Sequence, residues 1–168
     1  MDETAGMTSP DSCDIAHGAV VPDTGTRTLV AVFATKVAEH LLRYGADLGY
    51  RVVLVDPEDS TGALSEVPAD LGPDADVIVT DHHRAELGEV LRDVLAANPR
   101  WVGVMGNPRH PAPHVPALRD LGVDEERIAA VHRPIGLNIG SRTPAEIAIA
   151  TLAGLIADRN GKPGGFEF

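Results

Sequence analysis

The sequence predicts an α/β fold: a doubly wound, mostly parallel Rossmann-like sheet with helices on both faces, in a single domain. Three observations lead there. Leu29-Val30-Ala31-Val32-Phe33, Arg51-Val52-Val53-Leu54-Val55, Asp76-Val77-Ile78-Val79-Thr80 and Trp101-Val102-Gly103-Val104-Met105-Gly106 are short apolar runs with helical patterns between them. Such runs suit strands buried on both faces and joined by right-handed crossovers. The chain has 168 residues, 43% hydrophobic but 4% aromatic, so its core is built of Val, Ile, Leu and Ala, as in helices packed on a sheet. Finally, Thr143 at N-cap, Pro144 at the first helical position and Glu146 at N3 form a capping box that starts a last helix.

In chain order, residues 1–26 read as a disordered acidic leader of Thr, Ser, Asp, Gly and Pro without a sustained period. After the first strand, Lys36 to Leu48 is an amphipathic helix with Val37, Leu41, Tyr44 and Leu48 on one stripe and Gly49 as its stop. The second strand ends in Asp56-Pro57, and a loop covers 57–73. The third strand leads to a helix from Glu86 to Ala97, with Leu87, Val90, Leu91, Val94 and Leu95 facing in. The fourth strand is followed by the proline-studded segment Pro108 to Pro113, a helix over about 113–121, and a short fifth strand, Ile128-Ala129-Ala130-Val131. The last helix runs over 144–159 until Asn160-Gly161 and Pro163 stop it. The domain therefore spans 27–161, with 162–168 as a flexible tail.

Charge and cysteine usage exclude several classes. Acids outnumber bases 25 to 14, for a net charge of −11, so neither nucleic acid nor an anionic membrane is an expected partner. Cys13 is the one cysteine, so no intramolecular disulfide and no Cys-x-x-Cys metal site can form. The acidic N-terminus lacks the apolar segment of a signal peptide, and no apolar span is long enough for a membrane helix. A cytoplasmic setting is expected.

In doubly wound sheets the ligand crevice lies beyond the carboxyl ends of the strands. The segments that gather there make Thr35, Lys36, Asp56, Thr80, Gly106, Asn107, Gly136, Asn138, Gly140 and Ser141 candidates for holding a phosphorylated ligand. Pro134 to Ser141 is a glycine-punctuated loop running into the capped helix. Its amides and the helix dipole suit a phosphate or carboxylate; the competing reading is a buried loop whose glycines only make turns. Asp56 stands where a dinucleotide fold places its ribose-binding acid, or else caps the turn before Pro57. Phe33-Ala34-Thr35-Lys36-Val37-Ala38 occupies the place of a Gly-x-Gly-x-x-Gly/Ala turn, and only Ala38 suits that turn. Lys36 is either a cation for a phosphate or an exposed surface lysine.

His82, His83, His110, His114 and His132 fall in or near expected loops. Pro111 and Pro113 interrupt the His110/His114 spacing and no acid completes a zinc set, so no metal is expected. Asp81-His82-His83 could support acid–base chemistry, but no Ser or Cys nucleophile motif accompanies it and no catalytic residue is assigned. Trp101 reads as core. The last helix is apolar almost all round from Ile147 to Ile156, which fits either a sandwiched helix or a homodimer through 144–159.

With these residues in view, the chain resembles the C-terminal Rossmann domain of the xanthine dehydrogenase accessory (XdhC/CoxI) family over about residues 28–161. The likeness is carried by Pro134-Ile135-Gly136-Leu137-Asn138-Ile139-Gly140 with Thr143-Pro144-Ala145-Glu146-Ile147-Ala148, by Trp101 to Asn107, and by Leu48-Gly49-Tyr50-Arg51-Val52 through Asp56-Pro57. The resemblance implies an accessory role in maturation of molybdenum hydroxylases, with the molybdenum cofactor, a pterin phosphate often carried as a dinucleotide, as ligand. The chain departs from the family pattern at Phe33-Ala34-Thr35-Lys36 (for Gly-Ala-Gly-His), Thr80-Asp81-His82 (for Thr-His-Asp), Asn107 (for Ser), Asn138 (for Asp) and Gly154 (for Glu). The family's separate N-terminal domain is not expected in this chain.

The leading expectation is thus an accessory domain that binds a phosphorylated cofactor or nucleotide, such as molybdopterin or NAD(P), without chemistry of its own. Two alternatives stand beside it: an NAD(P)-dependent oxidoreductase, and a degenerate, non-binding homologue that acts through protein contacts. Phe33 discriminates among them.

Overall fold

The computed structural model describes residues 12–18, 25–59 and 62–165. Strands β1 (Thr28–Val32), β2 (Arg51–Val55), β3 (Ala75–Val79) and β4 (Trp101–Val104) form one sheet of order β2-β1-β3-β4. All neighbours are parallel, with Thr28 opposite both Arg51 and Ala75, and Asp76 opposite Trp101. Helices α1 (Ser12–Ala16), α2 (Lys36–Asp47), α3 (Leu87–Ala96), α4 (His114–Asp120), α5 (Glu125–Ala129) and α6 (Pro144–Arg159) complete the chain, with a 3₁₀ turn at Gly72–Asp74. Among the described residues no helix is long and apolar enough to cross a membrane.

β1 and β3 lie in the middle of the sheet and are buried throughout, which is why Leu29 to Val32 and Val77 to Val79 read as unbroken apolar runs. Their side chains alternate between two cores, as the period of a strand requires. Val30, Val32, Val77 and Val79 meet Leu87, Leu91 and Val94 of α3, Leu118 of α4 and Ile128 of α5 on one face. Leu29 and Ile78 meet Leu41 of α2 and Ala148, Leu152 and Leu155 of α6 on the other. Each fully buried Val or Leu contributes about 1.5–3 kcal/mol. Double winding is therefore observed, with α2 and α6 packed together on one side and α3 and α4 on the other.

α6 forms as its sequence predicts. Thr143 and Glu146 make both halves of the capping box. Its apolar circumference is used within the chain. Ala148, Leu152 and Leu155 face the sheet and α2, while the Gly136 backbone lies against Ala150, Thr151 and Gly154. Ile149 is the one large apolar residue of α6 that stands exposed.

One expectation changes. Ile128 to Val131 is not a strand: Ile128 belongs to α5, and only one parallel bridge, Gly103 to His132, extends the sheet beyond β4. Asp124 ahead of Glu125 and Glu126 is a helix-start pattern, and four apolar residues carry too little period to outweigh it. Of the expected leader, residues 12–18 and 25–26 are described and contain the single turn α1; the rest of it lies outside the described residues. In the expected tail, Lys162 N–H donates to Ala157 O at 2.8 Å and Gly164 abuts Leu137, so this end is tied back to α6.

Gly136 and Gly140 both have positive φ, 83° and 71°, but a Cβ at Gly136 would sit 3.1 Å from the α6 backbone, whereas one at Gly140 meets nothing within 4 Å. Gly136→Ala is expected to lose about 1–3 kcal/mol, and Gly140→Ala distinctly less. Denaturant midpoints of the two variants check this; equal losses would show that conformation alone, without packing, decides both positions.

Candidate functional site

The turn after β1 is shaped by Phe33. Its φ is +71°, its N–H donates to Val55 O at 2.8 Å, and its ring is fully buried in the core on the α3 side. The Arg84 guanidinium lies over that ring, 4.6 Å from its centre. Arg84 also grips Asp56 with two hydrogen bonds, Nη1 to Oδ2 at 3.1 Å and Nη2 to Oδ1 at 3.0 Å. Asp56 is 3% exposed and accepts two further bonds, from the N–H of Ala34 at 2.8 Å and of Glu58 at 3.1 Å. The carboxylate is thereby saturated. Burial pushes the Asp56 carboxyl up, but hydrogen bonds from Arg84, Ala34 and Glu58 and the charge of Arg84 outweigh it and leave it below its usual value. Arg84 is held strongly protonated, first by its bonds to Asp56 and Glu86. Glu58 and Glu86 each lie 3.0 Å from Arg84, so one cation stands among three carboxylates and the cluster stays negative.

Thr35 and Thr80 complete this turn. Thr35 is the N-cap of α2, accepting from Ala38 N–H at 3.1 Å, and its hydroxyl donates to Thr80 Oγ1 at 2.9 Å. The Thr80 hydroxyl donates to the carbonyls of Val32 and Phe33 at 3.0 and 2.9 Å. Lys36 points to solvent and pairs with Glu39 at 2.8 Å. The structure brings Thr35, Asp56 and Thr80 together as expected and then spends their polar atoms on one another and on the backbone. A pyrophosphate needs close approach to bare amides at this turn. The residues present do not fit one there: the amide of Ala34 is taken, a phenyl ring fills the floor, and the nearest cation is already neutralised.

The second expected anion site is filled in a similar way. Glu146 Oε2 accepts the N–H of Arg142 at 2.6 Å and of Thr143 at 3.1 Å, and Thr143 Oγ1 accepts from Glu146 N–H at 3.2 Å. These two amides hold the Glu146 carboxyl below its usual range. Its own carboxylate occupies the mouth of α6. Ser141 donates to Glu146 O at 3.3 Å, Gly136 is packing, and Asn138 and Gly140 are exposed.

At the β4 end of the rim, Gly106 and Asn107 surround Arg133. A Cβ on Gly106 would lie 2.5 Å from Arg133 Nη2, so the glycine makes room for a side chain of this chain. Arg133 donates to the carbonyls of Asn107, His110 and Pro111 at 3.3, 3.4 and 2.8 Å. The Asn107 side chain accepts from Arg109 N–H at 2.9 Å. The rings of His82 and His83 lie 4.1 Å apart at a tilt of 38°, and burial, then the charges of His83 and Arg133, push His82 down. Among the described residues no group of three or more His, Cys, Asp or Glu is placed to hold a metal ion. Trp101 is core, stacked on His132 at 4.8 Å.

Arg84 and Arg133 are the residues that sequence reasoning missed, and His114 entered it only among the loop histidines. A signal existed for Arg84: a buried aspartate at the end of a strand calls for a cation, and Arg84 follows the third strand by a few residues. Nothing local marked Arg133.

The family model described as the XdhC Rossmann domain matches residues 29–155. The chain belongs to the XdhC Rossmann-domain family. The uncharacterized protein YqeB of Escherichia coli (strain K12) is 32% identical over 157 residues, which covers 82% of this chain and 28% of YqeB. The crystal structure of a xanthine dehydrogenase from Bacillus halodurans superposes with a TM-score of 0.61 at 22% identity, over 81% of this chain and 45% of that one. That likeness shows the fold. This XdhC domain thus spans less than half the length of either protein.

Removing Arg84 leaves Asp56 buried and unpaired, so Arg84→Ala is expected to lose about 3 kcal/mol. Because the folded pKa of Asp56 lies below its unfolded value of about 3.9, its contribution is present above that value and vanishes as pH falls through the folded one. Acid unfolding of the wild type should therefore begin below about pH 4, and Arg84→Ala should flatten this dependence. An acid limb identical in both proteins would remove the pair from the account.

Proposed function

We propose that this chain is an accessory domain in the maturation of molybdenum hydroxylases such as xanthine or CO dehydrogenase, and that it works through protein contacts without carrying a dinucleotide above β1. Membership of the XdhC family supports the accessory role. One observation carries the rest: the bidentate Arg84–Asp56 pair, laid over the buried Phe33 ring. It uses the acid that a ribose would need, removes the space that a pyrophosphate would need, and leaves a negative cluster facing an anionic ligand. Closure of the turn speaks equally against an NAD(P)-dependent oxidoreductase. A contact role draws on the exposed Ile139 (55%) and Ile149 (52%), which lie on the loop before α6 and on α6 itself. A homodimer through α6 has less support, since most of that helix is covered by its own chain.

Two measurements test the reading. A ligand at 100 times its dissociation constant stabilises by about 2.7 kcal/mol. NAD, NADP, ATP, CTP and GTP are expected to leave the melting temperature unchanged. The molybdenum content of a co-produced xanthine dehydrogenase should fall several-fold without this chain, and again with Ile139→Glu/Ile149→Glu at unchanged melting temperature. A stabilisation by NAD or NADP that Asp56→Asn abolishes would overturn the proposal.

A further inference from the structure

Beside β4 the rim carries an arginine, at position 133, without a carboxylate partner among the described residues. Arg133 makes no ion pair, yet it is half-buried and fixed by three backbone carbonyls. Its Nε is buried and has no hydrogen-bond partner. Beside it opens a cavity of about 420 Å³, lined by His110, His114, Val115, Ile128, Val131 and Arg133 among others. This is the size of a small-molecule site. His114 is 3% exposed, and its Nδ1 likewise lacks a partner. An unpartnered buried nitrogen costs stability unless something meets it. Burial, then the charge of Arg133, pushes the His114 pKa down, which keeps the ring neutral with one of its two nitrogens free to donate.

The remaining polar groups orient what could enter. Arg119 and Glu125, at the cavity's other margin, neutralise each other through bonds of 2.5 and 2.8 Å. Net positive charge therefore resides at Arg133 alone. Val115, Ile128 and Val131 supply an apolar wall between the two ends. A guanidinium clamped by carbonyls is pre-organised and offers its donors to an oxyanion with little loss of side-chain freedom.

We propose that this cavity is an oxyanion-binding site that takes a phosphoryl or carboxylate group on a small, partly apolar body, with Arg133 and His114 as its donors. It is separate from the closed turn above β1, and its existence does not depend on the accessory role.

The full chain is titrated calorimetrically with inorganic phosphate, phenyl phosphate and benzoate at constant ionic strength. Phenyl phosphate or benzoate is expected to bind at least tenfold more tightly than inorganic phosphate because of the apolar wall, and which of the two binds identifies the group. His114→Leu should weaken binding at least tenfold while its melting temperature stays the same or rises, which a merely structural histidine would not do. Should that variant not fold, Arg133→Lys decides by the same readouts. Absence of binding to all three probes, binding unchanged in the variants, or weakening that only tracks a fall in melting temperature overturns the proposal.

Discussion

A buried carboxylate at the end of a strand cannot be left alone. Asp56 ends β2 at 3% exposure, and the chain meets it with Arg84, brought from 28 residues further on by β3 and the loop beyond it. That pair sets the geometry of the turn above β1. It places a guanidinium over the Phe33 ring, fixes the Ala34 amide through the same carboxylate, and draws Glu58 and Glu86 around one cation. A Rossmann sheet ordinarily keeps this region open for a pyrophosphate. Here electrostatic satisfaction of the protein itself has closed it.

The same economy recurs at the head of α6. A helix N-terminus attracts anions whatever their source, and an intramolecular carboxylate has the advantage of effective concentration over a dissolved phosphate. Glu146 supplies it within the capping box. Gly136 then serves the contact between its loop and α6, and Gly106 serves the guanidinium of Arg133. Glycines that read as room for a ligand make room for the chain. Arg133 is a buried-edge cation of this rim whose partners are carbonyls only, and the proposed oxyanion chemistry points to the side of β4.

Much of the fold was legible from sequence because its determinants are local. The unbroken apolar runs at Leu29 to Val32 and Val77 to Val79 announced central strands, and Thr143-Pro144-Ala145-Glu146 announced α6 to the residue. The run at Ile128 misled, because four apolar residues serve a helix turn as well as a strand and the acids before it decide for the helix. For the site, sequence brought the correct segments to one rim and identified Asp56, Thr35 and Thr80 as neighbours of the turn. It did not reveal what those side chains bind. His110 and His114 have a helix-face spacing that Pro111 and Pro113 interrupt; in the structure His114 begins α4 and is buried.

By itself the sequence determined the α/β class, the order of the four strands and of α2, α3, α4 and α6, the cap of that last helix and the membership in the XdhC Rossmann family. These follow from periods of two and 3.6 residues, from caps and from short motifs, all confined to a few turns of chain. Only the tertiary structure decided whether the rim is open. That depends on Arg84 reaching Asp56 and on Arg133 settling over Gly106, pairings 28 and 27 positions apart along the chain that exist only once the crossovers have closed. Charge pairing is governed by distance in space, and no local pattern encodes that distance.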